Sequence, residues 1–180
     1  MTATIFVDTN VFVYARDAGA GTKQARAMQW LEFLWRQQLG RTSLQVLSEY
    51  YVSVTRKLVP GLPPDDAWDD VTALYAWRPQ PIDEALLLRG REIELRHRLS
   101  WWDSLVVAAA QLQGCTLLLT EDLQDGGVYG GVTVRSPFTL ALGEHIAAYA
   151  AGATPAPVVP AAHPPRGRPK RSMATRTTAT

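Results

Sequence analysis

The stretch TIFVDTN, residues 4–10, decides the fold of this chain. It begins as a short apolar run of β-favouring residues, which predicts a buried strand, and it ends in a polar turn that starts at Asp8. A second run of this kind, TLLLT at residues 116–120, also ends on acidic side chains. Two buried strands that are each followed directly by carboxylates predict a polar site at one edge of a sheet.

Helical patterns occupy most of the remaining sequence. The predicted helices span residues 11–15, 23–39, 43–58, 65–77, 83–97, 102–113 and 137–150, and a further strand spans 132–134. Alternation of strands and helices predicts the α/β class, as a single domain with a mostly parallel central sheet flanked by helices. In such sheets ligands bind beyond the carboxyl ends of the strands, so residues more than a hundred positions apart can share one site.

Two details of these helices are explicit predictions. Gly40 is expected to end the helix over 23–39, because glycine commonly follows a helix. In the helix over 43–58, Ser43 is the expected N-cap. The buried face of that helix is predicted from apolar residues at spacings of three and four, namely Leu44, Leu47, Tyr51, Val54 and Leu58.

The composition divides the chain into a domain and a tail. The chain has 180 residues, of which 47% are hydrophobic and 19% charged, and this excludes wholesale disorder. Residues 152–180 contain five basic side chains, six prolines and no Asp or Glu, which leaves residues 1–151 with 13 Lys and Arg against 17 Asp and Glu. We predict a folded domain over 1–151 and a disordered basic Pro/Ala-rich tail over 152–180.

The same sequence argues against export. No apolar run reaches the length of roughly 18 residues that a bilayer span needs, and the first ten residues do not resemble a signal peptide. Cys115 is the only cysteine, so an internal disulfide and a zinc cluster of thiolates are both excluded. We expect a cytoplasmic protein with no membrane partner.

Four carboxylates stand out by their positions in the predicted elements. Asp8 and Asp122 follow strands, Glu49 lies within a helix and Asp103 begins one. Two unpaired carboxylates about 4 Å apart repel by roughly 4 kcal/mol at an effective dielectric constant near 20. A cluster of them therefore requires a cation or protonation, and oxygen ligands without His or Cys favour Mg²⁺ or Mn²⁺, ions suited to phosphate chemistry.

Each of these acids has a structural alternative. Asp8 and Asp103 stand where an acid can stabilise a helix start, and Glu49 has the pattern of an ordinary solvated residue. Glu121 and Asp125 compete with Asp122 for the fourth position.

The adjacent pair Trp101 and Trp102 points in directions about 100° apart on a helix. We predict a packing role for both rings. The alternative is that one ring is buried and the other lies near the site, where it can stack on a base.

These acids lie in four segments with a recognisable pattern. The segments are FVDTNVFVYARD (6–17), SLQVLSEYYVSVTRKL (43–58), SWWDSLVVAAAQLQGC (100–115) and LLLTEDLQDG (117–126). In their order and spacing over about residues 3–142, they resemble the four motifs of the PIN-domain family. Within that family the chain is most similar to VapC-type ribonuclease toxins of bacterial toxin–antitoxin systems.

The resemblance implies a site, an activity and partners. It implies a Mg²⁺ or Mn²⁺ site formed by Asp8, Glu49, Asp103 and Asp122, with Thr9, Asn10 and Thr120 as polar residues that orient the acids or the water. The implied activity is endonucleolytic cleavage of RNA by a metal-activated water, which leaves the phosphate on the 5′ end of the product. The implied partners are an RNA substrate, a small antitoxin that occupies the acidic groove, and a second copy of the chain in a homodimer.

Two other functions compete with this interpretation. One is a catalytically inactive PIN-fold module that binds nucleic acid or a protein. The other is a small-molecule phosphohydrolase with Asp8 as its nucleophile, although Asn10 stands where such enzymes usually carry a second Asp.

The tail contains a short basic motif. Its core, Arg-Gly-Arg-Pro, resembles an AT-hook and predicts weak contact with DNA through Arg166, Arg168, Lys170 and Arg171. Non-specific attraction to RNA phosphates and a purely solubilising role are the alternatives.

Overall fold

The computed structural model describes residues 3–150, with side chains described up to residue 146. The described strands are β1 (Ile5–Val7), β2 (Gly40–Arg41), β3 (Leu117–Leu119), β4 (Val128–Tyr129) and β5 (Val132–Arg135). The described helices are α1 (Thr9–Arg16), α2 (Thr22–Gln37), α3 (Leu44–Arg56), α4 (Pro64–Leu74), α5 (Glu84–His97), α6 (Trp101–Leu112) and α7 (Leu142–Ala150). The predicted α/β class is confirmed.

The five strands form one sheet in the order β2-β1-β3-β5-β4. The first four of these are parallel to their neighbours, and β4 pairs antiparallel with β5 at the edge. In the centre, Ile5 of β1 pairs with Gly40 on one side and Leu117 on the other. The chain passes from β1 to β2 on one side, whereas β3 lies on the other. The carboxyl ends of β1 and β3 therefore flank the switch point where parallel sheets bind ligands.

The central strands are short and entirely apolar because both faces of the sheet are covered. All three residues of β1 and all three of β3 are buried. A run of buried small and aliphatic residues on α6, from Ser104 to Ala110, allows this helix to lie deep in the structure. Trp30 of α2 and Tyr50 of α3 are the largest fully buried side chains described. This packing fixes the ends of β1 and β3 rigidly.

The expected role of Gly40 is wrong. Helix α2 already ends at Gln37, because Gln38 adopts a left-handed conformation with φ 57° and its N–H bonds to Leu34 O. Gly40 belongs instead to β2, a strand of two residues that local periodicity is too short to reveal. A Cβ at Gly40 would lie 2.5 Å from the Trp77 ring, so glycine is required here for close packing.

The predicted buried face of α3 is confirmed at Leu47 and Val54 but is wrong at Leu44. Ser43 caps the helix as expected, with its Oγ accepting from Val46 N at 3.2 Å. The buried apolar residues of this helix are Val46, Leu47, Tyr50 and Val54, whereas Leu44 is exposed. Tyr51 packs edge-to-face on Trp68 of α4, with ring centroids 6.1 Å apart. The apolar stripe is wider than one face, and the neighbouring helices decide which part faces the sheet.

Two further boundaries differ from the prediction. The last helix begins at Leu142 rather than near residue 137, because Thr139 N and Leu140 N both bond to Ser136 O in a turn. The glycine-rich segment at 126–131 contains β4 and the tight turn to β5.

Two predictions concern membrane spans and the C-terminal tail. In the part of the chain that the structure describes, no helix combines the length and apolar character needed to cross a bilayer. The predicted tail over 152–180, including Arg166, Arg168, Lys170 and Arg171, lies outside the described residues.

Gly40→Ala is expected to lower the free energy of unfolding by about 1–3 kcal/mol, because the added methyl group must displace the buried Trp77 ring. Urea denaturation followed by circular dichroism measures the change. Gly131→Ala is the matched control, because a Cβ at Gly131 meets nothing within 4 Å. Equal stability of the two variants would contradict the packing argument.

Candidate active site

Asp8 lies at the centre of the polar site, directly after β1. Its Oδ1 accepts from Thr9 N at 2.7 Å, so it also caps α1. Its Oδ2 accepts from Thr120 Oγ1 at 2.7 Å, and its backbone N–H donates to Leu119 O of β3 at 3.1 Å. The Asp8 side chain is only 7% exposed. Helix capping therefore orients this carboxylate and is compatible with a role in a site.

An amide joins Asp8 to a second acid at the end of β3. Asn10 Nδ2 lies 2.8 Å from Thr120 Oγ1, 3.0 Å from Asp122 Oδ2 and 3.4 Å from Asp8 Oδ2. Thr120 Oγ1 also accepts from Asp122 N at 3.1 Å. The first turn of α1 and the residues after β3 thus form one network, although they lie 112 positions apart. The Asn10 Oδ1 atom is buried and has no hydrogen-bond partner among the described residues.

Glu121 is held away from this network by other partners. Its carboxylate accepts from the Tyr14 hydroxyl and from Lys23 Nζ, the latter at 2.6 Å. The Lys23 ammonium also lies over the Tyr14 ring, 4.6 Å from its centroid. These contacts tie the loop after β3 to α1 and α2, and they leave the neighbouring Asp122 to contact Asn10.

Asp125 also has a structural role. Its Oδ1 accepts from Arg135 Nε and Ser136 N, each at 2.9 Å, and its Oδ2 accepts from Thr139 Oγ1 at 3.0 Å. These bonds hold the pKa of Asp125 below its usual value despite partial burial. Of the three acids that compete for the fourth position, Asp122 is therefore the one that lies in the Asp8 network.

Glu49 approaches the same network from α3. Its Oε2 accepts from Thr9 Oγ1 at 3.3 Å, and its Oε1 accepts from Gln45 Nε2 at 2.9 Å. Gln45 is buried, and its Nε2 also lies 3.5 Å from the backbone oxygen of Trp102. Glu49 itself is exposed, so it presents a solvent-accessible carboxylate beside the buried Asp8.

Asp103 is positioned by the start of its own helix. Ser100 Oγ donates to Asp103 Oδ2 at 2.7 Å and accepts from Asp103 N at 3.1 Å. No hydrogen bond among the described residues joins Asp103 to Asp8, Glu49 or Asp122. The network therefore unites three of the four predicted acids with Thr9, Asn10 and Thr120, while Asp103 is engaged in its helix cap.

Burial raises the pKa of Asp8 to about 7 from its ordinary value of 3.8. The hydrogen bonds from Thr120 and Thr9 act in the opposite direction, and the charges of Asp122 and Glu49 raise the pKa further. The latter two carboxylates are thus close enough to act on Asp8. Near neutral pH, Asp8 is balanced between its protonated and ionised forms, and a bound cation would favour the ionised form.

The donor atoms of the site fit a hard cation. They are carboxylate, hydroxyl and amide oxygens, and they include the unpaired Asn10 Oδ1. Among the described residues, no group of three or more His, Cys, Asp or Glu side chains is arranged to hold a metal ion. Mg²⁺ usually needs only one or two protein carboxylates together with waters and substrate phosphates. Asp8 and Asp122, joined through Asn10, can supply such a pair.

Comparison with known proteins places this geometry in context. Residues 5–124 match the family model described as "PIN domain", a range that contains all four predicted acids. The fold is also similar to the crystal structure of Mycobacterium tuberculosis VapC20, which is described as a "Sarcin-Ricin loop cleaving toxin". The two structures align with a TM-score of 0.50 and 21% sequence identity, and the alignment covers 64% of this chain and 87% of that chain. At this identity the likeness concerns the fold. No curated protein matches the chain at a significant level.

Asp8→Asn is expected to stabilise the metal-free protein more at pH 8 than at pH 5. The pKa of Asp8 is about 7 in the folded state against 3.8 ordinarily. The folded wild type therefore binds a proton that the unfolded chain has released. The stability that the Asp8 carboxyl group contributes is therefore fully present at low pH and is lost as the pH rises from 3.8 to about 7. The gap between variant and wild type should widen by about 2–3 kcal/mol from pH 5 to pH 8.

Urea denaturation in EDTA at both pH values measures this gap. Asp66→Asn is the control, because Asp66 is an exposed acid in the first turn of α4. A gap for Asp8→Asn that does not change with pH would contradict the burial of an ionisable carboxyl group.

Proposed function

The chain belongs to the PIN domain family, and we propose that it is a metal-dependent endoribonuclease of the VapC toxin type. The observation that carries the proposal is the network in which Asn10 and Thr120 hold Asp8 beside Asp122. This network lies where β1 and β3 end, at the switch point of the sheet. RNA as the substrate class follows from the resemblance of the four acidic motifs to those of VapC-type toxins.

The proposed ion is Mg²⁺ or Mn²⁺, with Asp8 and Asp122 as its main ligands and with Glu49 and Asp103 completing the acidic set. When bound, such an ion lowers the pKa of a water and neutralises charge on the phosphate. Thr120 and Thr9 orient the two oxygens of Asp8, and Asn10 keeps Asp122 close. We assign to Glu49 the acceptance of the proton from the attacking water, because its carboxylate is exposed whereas Asp8 is buried.

The biological setting is part of the same proposal. A VapC-type toxin would be inhibited by a small antitoxin protein and would act in the cytoplasm as a homodimer. Without a cation the acidic site repels RNA, so metal binding and RNA binding are expected to be coupled. We therefore expect metal to be required for both RNA binding and cleavage.

The two rival functions make different demands on the site. An inactive binding module would not need a buried carboxylate whose pKa is raised to about 7, since this arrangement costs stability. A phosphohydrolase would need Asp8 to attack a phosphate directly, and such enzymes usually carry a second Asp where this chain has Asn10. Trapping of a phospho-aspartate at Asp8 would favour the phosphohydrolase.

Purified protein is expected to cleave RNA in the presence of Mn²⁺ and not in EDTA. Asp8→Asn should lower the cleavage rate by about 100-fold or more, because it removes a charge that the transition state requires. Incubation with total RNA, followed by mapping of the cleaved ends, measures the rate and identifies the expected 5′ phosphates.

Asp66→Asn serves as the matched control for loss of one exposed acid. Cleavage that persists in EDTA, or in Asp8→Asn at the wild-type rate, would refute the proposed mechanism.

Mn²⁺ is expected to raise the melting temperature of the wild type, and Asp122→Asn should abolish this effect. At a free concentration 100 times Kd, the stabilisation is about 2.7 kcal/mol. Glu121→Gln is the neighbouring control. It breaks the ion pair with Lys23 and so lowers basal stability, but the shift caused by Mn²⁺ should remain. An equal loss of the shift in both variants would contradict the assignment of Asp122.

A further inference from the structure

Trp102 is an exposed aromatic residue beside the candidate site, and it has no role in the proposed function. It lies in the first turn of α6 and is 61% exposed. Its neighbour Trp101 is half-buried and packs against the core. The prediction that both rings are packed is therefore wrong.

A groove of about 570 Å³ separates Trp102 from α3. Its lining includes Glu49, so the groove is continuous with the acidic network. Val52 and Ile82 give it apolar walls, and Lys57 contributes a cation. The volume lies within the range of about 300–1,000 Å³ that is usual for small-ligand sites.

The chemistry of this groove fits a nucleotide better than a purely apolar ligand. The Trp102 ring offers a flat face for stacking, which every base can use. Ser48 and Ser53 add hydroxyl groups to the lining, and Lys57 supplies a charge complementary to phosphate. Gln45 also lines the groove and is only 3% exposed, and its Oε1 has no partner among the described residues.

We propose that this groove is a subsite for one unpaired base of the RNA substrate, next to the phosphate that is cleaved, with Trp102 as the stacking platform. The inference rests on the proposed function, because Glu49 belongs to both the groove and the acidic network. A base within a duplex has both faces covered by its neighbours, so the subsite selects single-stranded or looped RNA. Trp102 is then a specificity-determining residue.

The test measures binding separately from cleavage. Full-length wild-type protein is titrated in Ca²⁺ in place of Mn²⁺ with a fluorescein-labelled single-stranded oligonucleotide, and with the same sequence closed into a duplex, and a denaturing gel confirms that the RNA stays intact. The protein should prefer the single strand. Adding Trp102→Ala should weaken single-strand binding by about tenfold or more and remove the preference, whereas Trp102→Phe should retain most of it.

Trp68→Ala is the matched control, because Trp68 is 52% exposed on α4 and lies outside the groove. Its Kd should stay within about twofold of the parent value. In the otherwise wild-type protein, Trp102→Ala should raise KM for single-stranded RNA and leave kcat almost unchanged. Circular dichroism and melting temperature confirm that each variant is folded.

Two results would overturn the subsite. The first is single-strand binding by Trp102→Ala that equals that of the parent. The second is a Trp102→Ala variant that no longer dimerises in size-exclusion chromatography and whose RNA affinity falls only as the dimer dissociates. In that case a second copy of the chain, and not a base, would cover the groove of the wild type. If the wild type fails to cleave RNA but the preference that depends on Trp102 remains, the proposed nuclease activity fails and the subsite stands.

Discussion

A buried carboxylate at the end of the central strand is the constraint on which the rest of the site depends. Asp8 cannot move away from the sheet, because its own backbone N–H bonds to Leu119 O and its side chain caps α1. Burial disfavours its charge, and only partial compensation comes from Thr9 and Thr120. The fold therefore maintains an ionisable group that a proton or a cation stabilises. A bound cation would relieve this cost and, in the proposed activity, would supply the chemistry.

Sheet topology brings the other parts of the site to this carboxylate. β1 lies between β2 and β3, so the residues after β1 and β3 meet at one edge of the sheet. α3 then crosses near the first turn of α1 and brings Glu49 to Thr9. The acids that do not join the network have other functions in the fold. Glu121 ties the loop after β3 to Lys23, and Asp125 holds the turn before α7. The site therefore has a rigid surrounding structure.

The site and the adjacent groove divide recognition between charge and shape. The acidic network is suited to a cation and, through it, to a phosphate, neither of which distinguishes one RNA sequence from another. The groove between α3 and Trp102 offers a stacking face and, in Lys57, a positive charge. These features respond to an unpaired base. Gln45 connects the two regions, since its Nε2 bonds to Glu49 and lies 3.5 Å from the Trp102 backbone oxygen.

The sequence by itself determined the α/β class, the parallel sheet and the positions of Asp8 and Asp122 after their strands, because apolar runs and the residues that end them are local signals. The motif pattern favoured Asp122 over its neighbours Glu121 and Asp125, but only the tertiary structure shows what engages those two, since their partners Lys23 and Arg135 lie elsewhere in the sequence. The tertiary structure also decided the buried face of α3 and the place of Gly40 in β2. Hydrophobic periodicity reports how apolar an element is. Which side of it is buried depends on neighbours that the chain supplies only once it is folded.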